Sequence, residues 1–104
     1  MGTTNTRNWN IRGINDPGKH NAVRAKIEES ACSIFCLQET KREHFEHSYI
    51  KKFAPKRFDK FSFSPSQGAS GGILVGWNSS IFSGQVLEIN NFAVTILFTT
   101  RHNN

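Results

Sequence analysis

Four apolar residues, Ile34 to Leu37, stand together without a break and then stop at the polar segment Gln38-Glu39-Thr40-Lys41. A short apolar run of this kind is typical of a strand that is buried on both faces. Such a strand is rigid, and its end is where solvent and ligands reach the sheet. The sequence therefore predicts a buried strand that holds the carboxylate of Glu39 in place at one edge of a sheet.

The segments before this strand predict an α/β pattern. Apolar and polar residues alternate over residues 8–13, which predicts a first strand. Asp16 can cap a helix and Pro17 suits its first position. Apolar side chains then recur four residues apart on one helix face, at Val23, Ile27 and Ala31. Residues 8–38 thus predict strand, helix and strand in succession.

The second half predicts one short helix and then antiparallel strands. A helix over residues 43–53 would place Phe45, Tyr49 and Phe53 on one face and would end before Pro55. Strands are expected over residues 60–63, 73–78, 79–89 and 90–100, the last two paired through Asn90-Asn91. The apolar run 92–98 is expected to form an uncovered edge strand, which would promote aggregation.

Length and composition restrict the class of protein. A chain of 104 residues suits one domain, residues 1–104, and its 37% hydrophobic residues can build a core. Two cysteines make no disulfide framework, and no apolar run approaches a membrane span. We therefore expect an intracellular protein without a membrane partner. The net charge of +5 favours polyanions such as nucleic acid, so we expect weak binding of DNA and a nuclear location. The alternative is a soluble basic surface with no partner.

Polar groups at strand ends indicate a site for a divalent cation. Asn10, Glu39 and the loop Gly68–Gly72 each follow or precede an apolar strand. Mg²⁺ prefers one or two carboxylates together with water and substrate phosphate. Glu39 is thus a candidate ligand and Asn10 a candidate partner for the phosphate or the metal's water. The alternative is that Glu39 is a solvated residue where the strand leaves the core.

Two further clusters have alternative interpretations. Cys32, Cys36, His44 and His47 follow the pattern C-x3-C-x7-H-x2-H, whose middle gap is shorter than in zinc fingers, so we predict no zinc. Basic residues in segment 51–60 surround Phe53 and Phe58 and are candidate nucleic-acid contacts: Lys51, Lys52, Lys56, Arg57 and Lys60. The alternative for this segment is a pair of core phenylalanines flanked by solvated lysines.

Three motifs in order resemble a known superfamily: WNIRGIN, IFCLQETK and GASGGILVGWN. Together they resemble the N-terminal half of the endonuclease/exonuclease/phosphatase superfamily, which includes the apurinic-site endonucleases and deoxyribonuclease I. The sequence is most similar to the endonuclease domain of plant LINE-type non-LTR retrotransposons. The resemblance implies one half of a deoxyribonuclease I-like α/β sandwich, with a mixed sheet and helices on one side.

The resemblance also implies roles for individual residues. The family hydrolyses phosphodiesters with Mg²⁺ (or Mn²⁺), and Glu39 corresponds to its metal-binding carboxylate. Asn10 corresponds to the Asn that helps to place the metal or phosphate, so both are implied to be catalytic and metal-binding. The resemblance implies that Gln38 supports the metal-binding residues without contacting the metal itself. It also implies that Gly71 and Gly72 let the backbone pack closely beside the site.

The sequence departs from the family downstream of these motifs. The family's later Tyr, its Asp-x-Asn segment and its closing Asp-His segment are not found, and neither Asp16 nor Asp59 belongs to such a motif. We therefore expect a truncated remnant of a Mg²⁺-dependent endonuclease with little or no turnover. The alternative is a non-enzymatic basic fragment that binds nucleic acid weakly.

Overall fold

A computed structural model describes residues 6–101; residues 1–5 and 102–104 of the predicted domain lie outside the described part. The described residues form six strands and two helices. In chain order these are β1 (Thr6–Asn10), α1 (Pro17–Ser30), β2 (Ile34–Gln38), α2 (His47–Ile50), β3 (Lys60–Ser64), β4 (Ile73–Trp77), β5 (Phe82–Ile89) and β6 (Val94–Thr100).

Four of the strands form a mixed sheet in the order β1-β2-β4-β3. β1 and β2 run parallel, whereas β4 runs antiparallel to both β2 and β3. Alternate residues of β2 point to opposite faces of the sheet. Phe35 and Leu37 pack into the core with both helices, whereas Ile34 lies on the opposite face of the sheet. The predicted mixed sheet with helices on one side is therefore confirmed.

Helix α1 begins as the sequence predicts, but Ala31, expected on its apolar face, follows the last helical residue and is exposed. The Asp16 side chain accepts a hydrogen bond of 2.9 Å from the Gly18 amide, and Pro17 takes the first helical position. The helix ends at Ala31, which has a left-handed φ of 54°. Val23 and Ile27 on its buried face pack into the core. The helix thus returns the chain to start β2 beside β1.

The first strand begins and ends earlier than predicted. It covers Thr6–Asn10 rather than residues 8–13, because Arg12 and Gly13 both adopt positive φ, 53° and 102°. A positive φ reverses the chain locally and ends the extended conformation. The residues after Asn10 therefore leave the strand and run beside the segment that comes after β2.

The predicted helix over residues 43–53 is wrong in length. Helix α2 covers only His47–Ile50, with turns continuing to Ala54. The three aromatic residues expected on one face nevertheless converge. Ring centroids of Phe45 and Tyr49 lie 6.2 Å apart, and those of Tyr49 and Phe53 lie 6.1 Å apart. Ring packing in the tertiary structure brings them together without a continuous helix.

The predicted hairpin of β5 and β6 forms a second, two-stranded sheet. Its inner residues Phe82, Val94, Ile96 and Phe98 pack on Ile34, Val75 and Trp77 of the first sheet. Gly84 permits this contact, because a Cβ there would lie 2.6 Å from the Trp77 ring. On the same face the hairpin leaves β1 and the end of β2 open, where Asn8, Asn10 and Gln38 are exposed.

The predicted edge strand lies in this hairpin. Within residues 6–101, β6 pairs with β5 alone, and Leu97 on its outer face is 54% exposed. The expectation that this edge promotes aggregation stays a prediction. In the same range, no helix has the length and hydropathy needed to cross a membrane.

Candidate metal and phosphate site at the sheet edge

The structure brings Asn10 and Glu39 together at the ends of β1 and β2. The two strands are parallel and Asn10 pairs with Gln38, so Glu39 follows at the same edge. The Asn10 amide nitrogen donates a hydrogen bond of 2.9 Å to Glu39 Oε2. Both side chains are exposed. The predicted pair therefore forms one polar unit within reach of a ligand.

The orientation of the Asn10 amide separates the roles of the two residues. The backbone amide of Arg12 donates a 3.2 Å hydrogen bond to Asn10 Oδ1. A backbone N–H can only donate, so the amide oxygen faces Arg12 and the amide nitrogen faces Glu39. Asn10 therefore orients the carboxylate. The Asn10 oxygen is already engaged by Arg12, so the carboxylate of Glu39 is the stronger candidate ligand of the two.

The backbone around Glu39 is held on two sides. Gly13 donates to the Glu39 carbonyl at 2.7 Å, and Ile14 donates to the Thr40 carbonyl at 3.0 Å. On the other side, the Thr40 amide donates to the Gly72 carbonyl at 3.1 Å. These bonds hold Glu39 at a φ of 55°, a backbone conformation that is unfavourable for any residue other than glycine. The carboxylate therefore projects from a rigid, strained position.

An arginine clamp, which the sequence did not indicate, supports this segment. We define it as Asn15, Arg42 and Tyr49. Asn15 donates to the Lys41 carbonyl at 3.1 Å, and Arg42 donates to Asn15 Oδ1 at 2.9 Å. The Arg42 guanidinium lies 3.5 Å from the centre of the Tyr49 ring. No spacing pattern marks this group, because Asn15 lies 27 residues before Arg42 in the chain and meets it only after folding.

A shallow depression surrounds Glu39. It has a volume of about 260 Å³ and is lined by Gln38, Glu39, Gly71, Gly72, Ile73, Asn91 and Phe92. The sequence placed Gln38 and the two glycines here by resemblance. Asn91 and Phe92 were assigned only to a turn and a strand, and they reach the site because the hairpin folds over β4.

The donor set at this depression suits Mg²⁺. Within residues 6–101, no three His, Cys, Asp or Glu side chains converge. Mg²⁺ keeps several waters and is usually held by one or two carboxylates together with substrate phosphate. Zinc requires three or four protein ligands, usually with nitrogen or sulfur donors. Glu39 is the one carboxylate that lines this depression and is the candidate ligand for Mg²⁺.

The cysteines and histidines of the C-x3-C-x7-H-x2-H pattern are dispersed. Cys32 belongs to the core beneath the helices, whereas Cys36 packs with residues facing the hairpin. Burial raises the pKa of the Cys36 thiol, which disfavours the thiolate that binds metal. The rings of His44 and His47 lie edge-on against Phe63 and Phe61. These placements favour the interpretation without zinc.

The basic segment 51–60 lies at the opposite end of the sheet from Glu39. Lys60 pairs with Trp77, and Trp77 pairs with Ile34 at the start of β2. Ile34 and Glu39 are separated by roughly 15 Å along the strand, so Lys60 lies about that far from Glu39. Phe53 and Phe58 are buried in the core and present no face to a nucleobase. The segment can therefore contact a phosphate backbone only through its charges.

Arg57 already has partners within the protein. Its Nη1 donates to Glu28 Oε1 at 2.7 Å, and its Nη2 donates to the Cys32 carbonyl at 3.1 Å. Its guanidinium also lies 4.6 Å from the centre of the Phe58 ring. These contacts join the end of α1 to the segment before β3, which makes Arg57 a structural residue. Lys51 is also exposed but donates to the Phe58 carbonyl at 3.4 Å, so Lys52, Lys56 and Lys60 remain as the candidate phosphate contacts.

Comparisons with known proteins identify structures with a similar fold. Neither a protein-family model nor a curated protein sequence matches the chain. Solved structures do match. The AP endonuclease LMAP from Leishmania major has a TM-score of 0.53 and 25% identity over 72% of this chain. The catalytic domain of Xenopus laevis APE2 has a TM-score of 0.53 and 23% identity over 76% of this chain.

The chain has a partial AP endonuclease-like fold. The resemblance to the superfamily that includes these endonucleases is thereby confirmed at the level of the fold. The chain covers only 23% of the Leishmania protein and 24% of the Xenopus domain. It thus spans about a quarter of the length of the structures that it matches.

Proposed function

We propose that this chain carries the metal-binding part of a Mg²⁺-dependent endonuclease of the retrotransposon type. The observation that supports this proposal is the Asn10–Glu39 hydrogen bond at the ends of two parallel strands. The three motifs around it, WNIRGIN, IFCLQETK and GASGGILVGWN, support the retrotransposon origin. The substrate is DNA, and the place of action is the nucleus.

The residues of the site would divide the work of holding a metal and a phosphate. Glu39 would hold Mg²⁺, which when bound neutralises charge on a phosphodiester and activates water. Asn10 would keep the carboxylate turned toward the open face. The residues lining the depression include one carboxylate and no histidine, so they offer no separate base for the attacking water. We therefore expect the 104-residue chain by itself to bind metal and to turn over little DNA.

Binding of Mn²⁺ tests the metal site. We expect Mn²⁺ to broaden the amide resonances of residues 10–13, 38–41 and 71–73 in a ¹⁵N-labelled sample. In Glu39→Gln this broadening should disappear, because the neutral amide attracts the cation far less. Glu29→Gln is the matched control, since Glu29 is also exposed but lies near the end of α1, outside the depression. Unchanged broadening in Glu39→Gln would show that the metal binds elsewhere.

Nicking of supercoiled plasmid tests turnover. We expect the wild-type chain, Glu39→Gln and an EDTA control to be equally silent in Mg²⁺. Nicking by the wild-type chain that both Glu39→Gln and EDTA abolish would show a working site. That result would contradict the expected inactivity while retaining the metal site.

The exposed lysines support a second candidate, a non-enzymatic fragment that binds nucleic acid weakly. Lys52, Lys56 and Lys60 project from one end of the sheet in a chain of net charge +5. Contacts of this kind release counterions, so affinity should fall steeply as salt rises. On this alternative, DNA binding survives Glu39→Gln and is lost when the three lysines are replaced by alanine. Binding that withstands salt would exclude it.

A further inference from the structure

Phe92 is the most exposed of the large apolar side chains in the described part of the chain. It is 87% exposed, whereas the next, Leu87, is 56% exposed. The other exposed apolar residues of the hairpin lie along its strands: Val86, Leu87, Ile89 and Leu97. Phe92 alone among them lies in the turn, on the rim of the depression that contains Glu39. Phe92 therefore differs from the other exposed apolar residues of the hairpin in both position and exposure.

The turn that carries Phe92 is firmly built. Asn90 Oδ1 accepts the Phe92 amide at 2.8 Å, and the Asn90 amide donates to the Ala93 carbonyl at 3.0 Å. The turn is also tied to the first sheet. The fully buried Ser64 donates its hydroxyl to the Asn90 carbonyl at 2.6 Å, and Gln67 donates to Asn91 Oδ1 at 3.2 Å. Phe92 is thus held out to solvent from an anchored backbone.

An exposed ring beside a carboxylate matches the two parts of a nucleotide. An aromatic ring stacks on any nucleobase, because every base has a planar face. The neighbouring carboxylate is suited to a metal-bound phosphate. The buried rings of segment 51–60 cannot stack on a base, whereas Phe92 has both the exposure and the place to do so.

We propose that Phe92 stacks on an unpaired nucleobase next to the phosphate held at Glu39. The ligand class is single-stranded DNA or a duplex with one base turned out, and the contact tolerates any base. This inference rests on the proposed function, since Glu39 supplies the phosphate end of the same site. Phe92 would be a binding residue that fixes the register of the strand.

Fluorescence of a stacked base tests the proposal. The probe is a short thymidine oligonucleotide with one 2-aminopurine, titrated with the full chain at low salt in EDTA. We expect the wild-type chain to quench the probe and Phe92→Ala to bind about 10-fold more weakly. Phe92→Trp should retain binding, because the larger ring also stacks. Leu97→Ala is the control, as an exposed apolar residue in the middle of the hairpin, and should leave binding unchanged.

Three results would overturn the stacking role. They are an absence of quenching by the wild-type chain, equal affinities for wild type and Phe92→Ala, and equal weakening by Phe92→Ala and Leu97→Ala. The last result, joined by reduced self-association in sedimentation, would identify Phe92 as part of an apolar surface for protein contacts. Because the titration contains no metal, it is independent of the Mn²⁺ experiment. Stacking without Mn²⁺ binding at Glu39 would refute the proposed function and the placement beside a metal-bound phosphate, and would leave Phe92 only as a base-stacking ring. Mn²⁺ binding without stacking would refute the stacking alone.

Discussion

Phe35→Ala is expected to lower the free energy of unfolding by about 4 kcal/mol. Phe35 is fully buried in β2, and its ring centroid lies 4.9 Å from that of Phe58 in an edge-on arrangement. Its cross-strand partner is Gly76, where a Cβ would lie 2.5 Å from two carbons of the Phe35 ring. The ring thus fills space that no neighbour can take over, so alanine leaves a cavity.

Urea denaturation monitored by circular dichroism measures this change. A domain of this size has a total stability of about 5–15 kcal/mol, so the loss is large enough to leave part of the variant unfolded. Phe92→Ala is the matched control, since it removes the same ring from an exposed position and should cost less than about 0.5 kcal/mol. Similar losses in the two variants would contradict the assignment of Phe35 to the core.

Gly72→Ala is expected to lower the free energy of unfolding by about 3 kcal/mol and to abolish Mn²⁺ binding at Glu39. Gly72 has a φ of 94°, which residues other than glycine rarely adopt. A Cβ there would also collide with the hydroxyl of Thr40, a fully buried residue. Relief of that collision moves Thr40, and with it the backbone that positions Glu39.

Gly71→Ala separates the two causes of this loss. Gly71 also has a positive φ, 73°, but a Cβ there would have no neighbour within 4 Å. Its loss should therefore be about 1 kcal/mol, from backbone strain alone, with Mn²⁺ binding retained. If Gly71→Ala and Gly72→Ala lost equal stability by urea denaturation, close packing at Thr40 would play no part.

The strand–helix–strand unit was predictable because its signals are local. The apolar run before Glu39, the Asp16 cap and the four-residue spacing of Val23 and Ile27 all act within one element. Parallel pairing then follows, since a helix between two strands returns the chain to the same end of the sheet. The juxtaposition of Asn10 and Glu39 is a consequence of that order.

Other parts of the site depend on contacts between distant residues. The hydrogen bond from Arg42 to Asn15 and the tie from Ser64 to Asn90 join segments that are far apart in the chain. The predicted helix over residues 43–53 was wrong for a similar reason. The helical spacing of its aromatic residues is satisfied by ring packing around α2, which needs only four helical residues.

The sequence by itself determined the α/β order, the start of α1 and the end of β2 at a carboxylate, because these depend on neighbours in the chain. It also identified Asn10 and Glu39 as a pair through their motifs. Only the tertiary structure decided which amide atom of Asn10 faces Glu39, how far segment 51–60 lies from the site, and that Phe92 stands beside it. Each of these depends on how the sheet and hairpin pack, and packing joins residues that no local pattern connects.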